Sequence, residues 1–366
     1  MVLPLQPGNL NGIRKTEVNP REKIESDGKK IYQVKMKHRH VTFSKNIFIP
    51  VTNVCRNACG YCGFRARSLD DAYLISVKEF LTLIKTKGAA TEALFTAGEK
   101  PELANFASFF KHKILDYGYS SLVEYTKELC KLAIKHGLLP HCNFGVLSRE
   151  ELNELRVMNA SMGLMLETVA EVEAHKNSPG KIPAERLKMI EEAGKLKIPF
   201  TTGLLVGIGE KPVDHLRSLE AIKSLHDKYG HIQEVIVQPF IPKSFTPMWK
   251  KRPPSFEELK EVVRAASRIL PDEIAIQVPP NLTSPKELIE LGASDLGGIS
   301  EKTIDYINPE SPWPGEEELR KIVAPYELRE RLPIYPRYIE KGWYSEEIRP
   351  LIEKYADEEG LRKRKR

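Results

Sequence analysis

The 366-residue chain is 41% hydrophobic and 29% charged, apolar enough to build a core rather than stay disordered, and its length fits two ordinary domains or one large α/β barrel. No apolar run approaches the roughly 20 residues that span a bilayer, and the opening MVLPLQPGNLNGIRKTEV lacks the charged-then-apolar order of a signal peptide, so a soluble, cytoplasmic protein is expected. Of the formal net charge of +6, five units come from Arg362 to Arg366, which leaves the rest near neutral and predicts a frayed, solvated tail rather than a nucleic-acid face.

In chain order, residues 1–44 are polar and without period, and read as an N-terminal extension. Asn46 to Val51 is a short apolar run suited to a buried strand, and a cluster of cysteines follows it directly. Ser76-Val-Lys-Glu79 has the form of a capping box opening a helix through about Lys87, and Glu92 to Thr96 then reads as a second strand. Further Ser-x-x-Glu boxes begin at Ser121, Ser148, Ser255 and Ser284. Between the helices lie apolar runs at Leu138–Phe144, Ser161–Leu166, Phe200–Val206, Val235–Gln238 and Ile274–Val278. Strand and helix alternate throughout, which predicts parallel strands with helical crossovers and an α/β fold, a partial or complete (β/α) TIM-type barrel. The barrel core is expected over residues 45–311, with residues 312–366 as a C-terminal cap and basic tail.

Five cysteines are too few for a disulfide scaffold. Cys55, Cys59 and Cys62 form a C-x3-C-x2-C run, whereas Cys130 and Cys142 stand apart and are expected to be buried structural thiols. A short loop with this spacing converges thiolates on three irons of a 4Fe-4S cube and leaves the fourth iron open to bind and reduce a substrate. The same thiols with His38 or His40 could instead hold zinc, although zinc sites usually pair their ligands on two knuckles and no second C-x2-C occurs.

Barrel enzymes bind their ligands at the C-terminal ends of the strands. There the sequence places Gly98 and Glu99 after the second strand, and Glu167 after the fourth, where a carboxylate is costly unless paired or at the mouth. The fifth strand runs into Gly207-Ile208-Gly209, which lacks the third glycine of a dinucleotide fingerprint. His141 and Asn143 share one face of the third strand, opposite Cys142, so this pair reads a substrate if it faces the lumen; a satisfied core histidine is the alternative. Gln238, Gln277 and Asn281 end later strands and are candidates for hydrogen-bonding a polar heterocycle. His175 lies in a turn-rich loop, Glu173 to Gly180, suited to overhang the mouth.

The three-cysteine run with Tyr61 before its last thiol resembles the signature of the radical S-adenosylmethionine (SAM) superfamily. That resemblance implies a loop following the first barrel strand, SAM chelated to the open iron, and cleavage of SAM by one electron to methionine and a 5'-deoxyadenosyl radical that takes hydrogen from substrate. It also implies that Tyr61, Gly98, Glu99, Glu167, Gly207 and Gly209 lie on the SAM side, with Ala97 replacing the first glycine of the Gly-Gly-Glu element.

Further blocks resemble a narrower family, subunit 1 of 7,8-didemethyl-8-hydroxy-5-deazariboflavin (FO) synthase. They include Thr52 to Asn57, Thr96 to Glu102, Ser161 to Glu167, His175 to Lys181, Gln277 to Leu282 and Gly292 to Gly298. The family cyclises 5-amino-5-(4-hydroxybenzyl)-6-(D-ribitylimino)-5,6-dihydrouracil with loss of ammonia, giving FO, the precursor of coenzyme F-420. The resemblance therefore implies a small-molecule substrate made by a second radical SAM subunit, that subunit as functional partner, a reductant protein, and neither nucleic acid nor membrane. A sibling radical SAM enzyme and a non-catalytic metal-binding protein are the competing readings. Against a biotin-synthase-like sulfur inserter, no further clustered cysteines are present to hold a second cluster.

Overall fold

The computed structural model describes residues 40–364. Strand β1, His40–Thr52, is thirteen residues long and almost wholly buried, because one face serves the barrel lumen and the other the helical shell. Seven parallel strands follow: β2 (Glu92–Ala97), β3 (Leu139–Asn143), β4 (Ser161–Gly163), β5 (Phe200–Val206), β6 (Ile232–Pro239), β7 (Ala275–Gln277) and β8 (Asp295–Ile299). Each pairs with its sequence neighbours, and β8 returns to β1, so the sheet closes into a barrel of eight strands. A ninth parallel strand, β9 (Glu327–Glu330), pairs with His40 to Phe43 of β1.

The crossover helices form the outer ring, and Phe80, Leu129, Ile190, Leu219 and Val263 bury their apolar faces in one continuous core with the strands. Ser76, Ser148 and Ser255 form complete capping boxes at the starts of Val77–Ile84, Arg149–Leu155 and Phe256–Ile269. Ser121 also accepts from Glu124 N, at 3.1 Å, but the Glu124 carboxylate turns to Ser120 instead. The box expected at Ser284 does not form; Pro285–Glu290 starts on its proline without a side-chain cap.

One boundary and one strand differ from the sequence reading. The barrel begins at His40, inside the segment read as extension, and β8 was not anticipated, since Asp295-Leu-Gly-Gly-Ile299 carries residues that strands disfavour. The C-terminal segment closes the N-terminal end of the barrel, its floor. There Arg331 donates to Asp295 through Nε (2.7 Å) and Nη2 (3.0 Å), and to Glu234 through Nη2 (3.1 Å). The Pro333 carbonyl accepts from Ser161 Oγ at 2.5 Å and from Gln233 Nε2 at 3.0 Å. Nor is the described part of the tail frayed: Arg362 N donates to Glu330 O at 2.9 Å, and the Arg364 guanidinium pairs with Glu327. Among the described residues no helix is long and apolar enough to cross a membrane.

Candidate active site

At the opposite end β1 runs directly into the cysteine loop. Gly98 N donates to Thr52 O at 2.7 Å and Arg56 N to Glu99 O at 2.9 Å, which sews this loop to the end of β2. The approach is so close that a Cβ on Gly98 would overlap the Val54 carbonyl, so only glycine fits. From the other side the loop Glu173–Lys181 straps the cysteines. Ala58 N donates to Asn177 O (3.0 Å), Gly60 N to Ala174 O (2.8 Å) and Gly180 N to Asn57 Oδ1 (2.8 Å).

The three thiols are free and largely buried. Burial pushes the Cys55 thiol up to about 11, against the backbone N–H groups of Asn57 and Glu99, which donate to its Sγ at 3.4 and 3.2 Å. Burial also raises Cys59, while the ammonium of Lys181 favours its thiolate. His40, weighed above as a zinc ligand, starts β1 at the floor, the far end of the strand from Cys55, and His38 lies outside the described residues. Among the described residues no three His, Cys, Asp or Glu side chains form a group fit for one metal ion.

Around the loop stands a charged network. Burial works against the charge of Glu167, but Lys181 and Arg186 outweigh it and hold the carboxyl below its ordinary range. Lys181 pairs directly with Glu167, and Arg186, itself 3% exposed, donates to Met165 O at 2.6 Å and Gly180 O at 2.8 Å. Glu167 takes φ +67°, a strained conformation for a non-glycine residue of the kind that gathers at functional sites. Glu99, expected on the SAM side, turns its carboxylate inward to Arg56 (2.8 Å) and Val146 N (3.0 Å), which leaves its backbone rather than its side chain at the loop. Tyr61 O–H pairs with His175 Nε2 at 3.0 Å, and burial lowers the His175 ring to about 4, so it is neutral at physiological pH. Beyond β5, Glu210 receives Gly207 N (2.6 Å), Ile208 N (2.8 Å) and His215 Nε2 (2.8 Å), clamping the glycine turn. Gly209, at φ +118°, has only Val172 near its missing Cβ, at 3.9 Å, so its backbone borders open space.

The remaining candidates scatter along the lumen. His141 is buried, with Nδ1 2.7 Å from Ser161 Oγ, and burial lowers its ring to about 3. Asn143 and Gln238 are half-buried higher on β3 and β6, and Gln277 is buried at the end of β7. Asn281 is turned away from a ligand, its Nδ2 donating to Asp305 Oδ2 and Ser311 O, both at 3.1 Å. Cys130 and Cys142 are fully buried outside the site. Sequence reading missed Arg56, Lys181, Arg186 and Glu210; only their places beside the glycines and cysteines signalled them.

Residues 49–222 match the radical SAM superfamily. A protein of Methanococcoides burtonii named 7,8-didemethyl-8-hydroxy-5-deazariboflavin synthase is 54% identical over 329 residues, 89% of this chain and 99% of that protein. The chain belongs to the 7,8-didemethyl-8-hydroxy-5-deazariboflavin synthase family. A synthase of the same name from Archaeoglobus fulgidus is 53% identical over 87% of this chain and 98% of its own length. In fold, the chain resembles the FeFe-hydrogenase maturase HydG of Carboxydothermus hydrogenoformans, with TM-score 0.65 at 21% identity over 81% of this chain and 69% of that one.

A radical SAM member of the synthase family implies a 4Fe-4S cluster and SAM, and the residues present fit both. One loop carries three free thiols, the donor set of a cluster rather than of a single ion, with N–H donors that favour a thiolate at Cys55 and an ammonium that favours one at Cys59, and metal charge deprotonates such thiols outright. A buried carboxylate and an open glycine backbone flank them, as a cationic amino acid with a nucleoside arm requires.

Proposed function

We propose that this protein forms FO by cyclising 5-amino-5-(4-hydroxybenzyl)-6-(D-ribitylimino)-5,6-dihydrouracil with loss of ammonia, as a 4Fe-4S, SAM-dependent enzyme of the cytoplasm. The observation that carries the reading is the mouth itself, where the three-thiol loop, Glu167 and the Gly207–Gly209 turn meet at one barrel end in a member of this family. When bound, the cluster and SAM supply one electron and a 5'-deoxyadenosyl radical for hydrogen abstraction.

The chain's own residues hold and orient. Cys55, Cys59 and Cys62 would hold the cluster. Glu167 would take the amino or ribose end of SAM, the backbone at Gly98 and Glu99 its methionyl end, and Gly207 and Gly209 would admit the adenosine. Tyr61, fixed by His175, walls the loop from water. Below, His141, Asn143, Gln238 and Gln277 offer donors and acceptors to the uracil and ribityl groups, and Asn281 instead positions the Asp305–Ser311 segment. A second radical SAM subunit supplies the adduct, and a reductant protein the electron.

The test is one anaerobic assay on reconstituted, reduced protein with SAM and the adduct, following 5'-deoxyadenosine and deazaflavin fluorescence together. Both signals are expected. Deoxyadenosine without fluorescence would move the protein to a sibling reaction, and neither signal from cluster-loaded protein would end the catalytic reading.

A further inference from the structure

The segment Lys243–Arg252 lies directly against the cysteine loop. Met248 N donates to Gly60 O at 3.0 Å, and Gly60 stands between Cys59 and Tyr61. Buried Lys243 anchors the segment through Asn308 Oδ1 at 2.9 Å and Glu310 Oε1 at 2.6 Å. On its outer side the segment exposes two large rings, Phe245 at 56% and Trp249 at 52%. Each carries a cation: the Arg67 guanidinium lies 4.1 Å from the Phe245 ring centre, and the Lys250 ammonium 4.7 Å from that of Trp249. Lys251 and Arg252 are exposed beside them, and Arg65 is half-exposed on the loop. The opposing charges here are few and mostly paired: Glu310 takes Lys243 at 2.6 Å, Glu258 takes Arg252 at 3.0 Å, and Asp70 and Asp71 follow Arg67 in sequence. Exposed rings this large are unfavourable in water unless a partner covers them, and cations around them select an acidic partner.

We propose that the face formed by Phe245, Trp249, Lys250 and Lys251 docks an acidic, ferredoxin-class iron–sulfur protein that delivers the electron the reaction consumes. This inference rests on the function proposed above, which requires one external electron per SAM cleaved. One electron leaves the donor's reduced centre and enters the cluster held by the three thiols; no atom or proton is exchanged, and the donor departs oxidised by one electron. The location suits the task, since a single peptide hydrogen bond links Met248, the neighbour of Trp249, to the loop holding the cluster ligands. Small, polar-rimmed contacts of this kind fit a transient redox encounter, which must form and release quickly.

The experiment compares wild-type protein with Lys250→Glu/Lys251→Glu and, separately, Trp249→Ala, all reconstituted with iron and sulfide. Deoxyadenosine formation is driven either by purified reduced ferredoxin or by titanium(III) citrate. The expected result is a Kd for ferredoxin, measured by calorimetry on protein without its cluster, and an apparent KM that both rise about tenfold or more in the charge-reversed variant, at unchanged titanium-driven rate, and a wild-type affinity that falls steeply with salt. Lys250→Gln/Lys251→Gln should lie between. An unchanged KM for ferredoxin in both variants overturns the docking face, as does an equal loss with both reductants, which would mean the substitutions disturb the cluster loop. Wild-type protein that makes no deoxyadenosine even with titanium refutes the underlying function instead.

Discussion

At the floor of the barrel, Arg331 is held by two carboxylates, Thr42 donates to Asp295, Thr201 Oγ1 to Glu234 at 3.0 Å, and Ser44 Oγ to Glu92 at 2.5 Å. At the mouth, Cys59 is buried and Cys55 and Cys62 are half-buried, and the cations beside these thiols are Lys181, which is shared with Glu167, and Arg67, which lies by Cys62. Both ends bury charge, but the floor network is closed on itself, whereas the mouth keeps three free thiols beside its ion pairs. Holding the fold and, in the proposed function, running the reaction thus fall to opposite ends of the same strands.

The comparison breaks if the two ends respond alike to substitution. The largest effect is expected from Cys55→Ala, Cys59→Ala or Cys62→Ala, each of which should abolish deoxyadenosine formation and cut iron content while leaving the unfolding transition of iron-free protein nearly unmoved. Retained SAM cleavage in any of the three would remove the cluster from this loop. Next comes Arg331→Met, which strands Asp295 as a buried unpaired charge and should cost about 3–5 kcal/mol in denaturant unfolding. Activity per folded molecule in the cold should persist, and a specific loss of turnover there would tie the floor to catalysis.

Glu167→Gln sharpens the contrast further. Losing one charge-assisted contact of about 1.5–3 kcal/mol should weaken SAM binding roughly ten- to hundredfold, measured by calorimetry, at unchanged iron content. Iron loss would instead make Glu167 a structural member of the loop. The smallest effect concerns pH at the floor. Burial raises Glu234 to about 8, because the one guanidinium it shares is taken in bidentate fashion by Asp295, which stays ionised. A carboxyl raised on folding binds its proton more tightly in the native state, so its contribution is full below the ordinary carboxylate range and is lost as pH rises toward 8. Unfolding free energies from denaturant titrations between pH 5 and 8 should therefore fall more in the wild type than in Glu234→Gln, by at most about 1.4 kcal/mol per pH unit. Parallel curves would show that Glu234 is already ionised.

Much of the mouth was legible because its chemistry is local: eight residues hold all three thiols, and β5 reads from Phe200 to Val206 as one apolar run. The barrel followed from alternation, with four of the helix starts marked by a capping serine, Ser76, Ser121, Ser148 and Ser255. What stayed hidden depends on distance. Arg331 and Asp295 are 36 residues apart, and Arg331 and Glu234 97, so nothing in either neighbourhood announces the pairing. Asn281 misleads for the same reason, since its strand-end position suggested a ligand contact and a later loop claims its amide. β8 was obscured by its own composition, two glycines and an aspartate whose charge is tolerable only opposite Arg331.

The length of β1 has a consequence for how the molecule is made. Its upper half can pair with β2 soon after both leave the ribosome, but Thr42 meets Ser294 only when 252 further residues have been added, and His40 meets Glu327 later still. The cysteines are translated near the start, whereas Ser178, which reaches Ala58 N at 3.2 Å, comes 120 residues after it. Long-range closure of this kind is slow, and it leaves the nascent thiols uncovered while the other half of their housing is still being synthesised. In the proposed function, loading of the metal therefore belongs after barrel closure, under reducing conditions, and overexpression that outruns closure should yield colourless protein with oxidised cysteines.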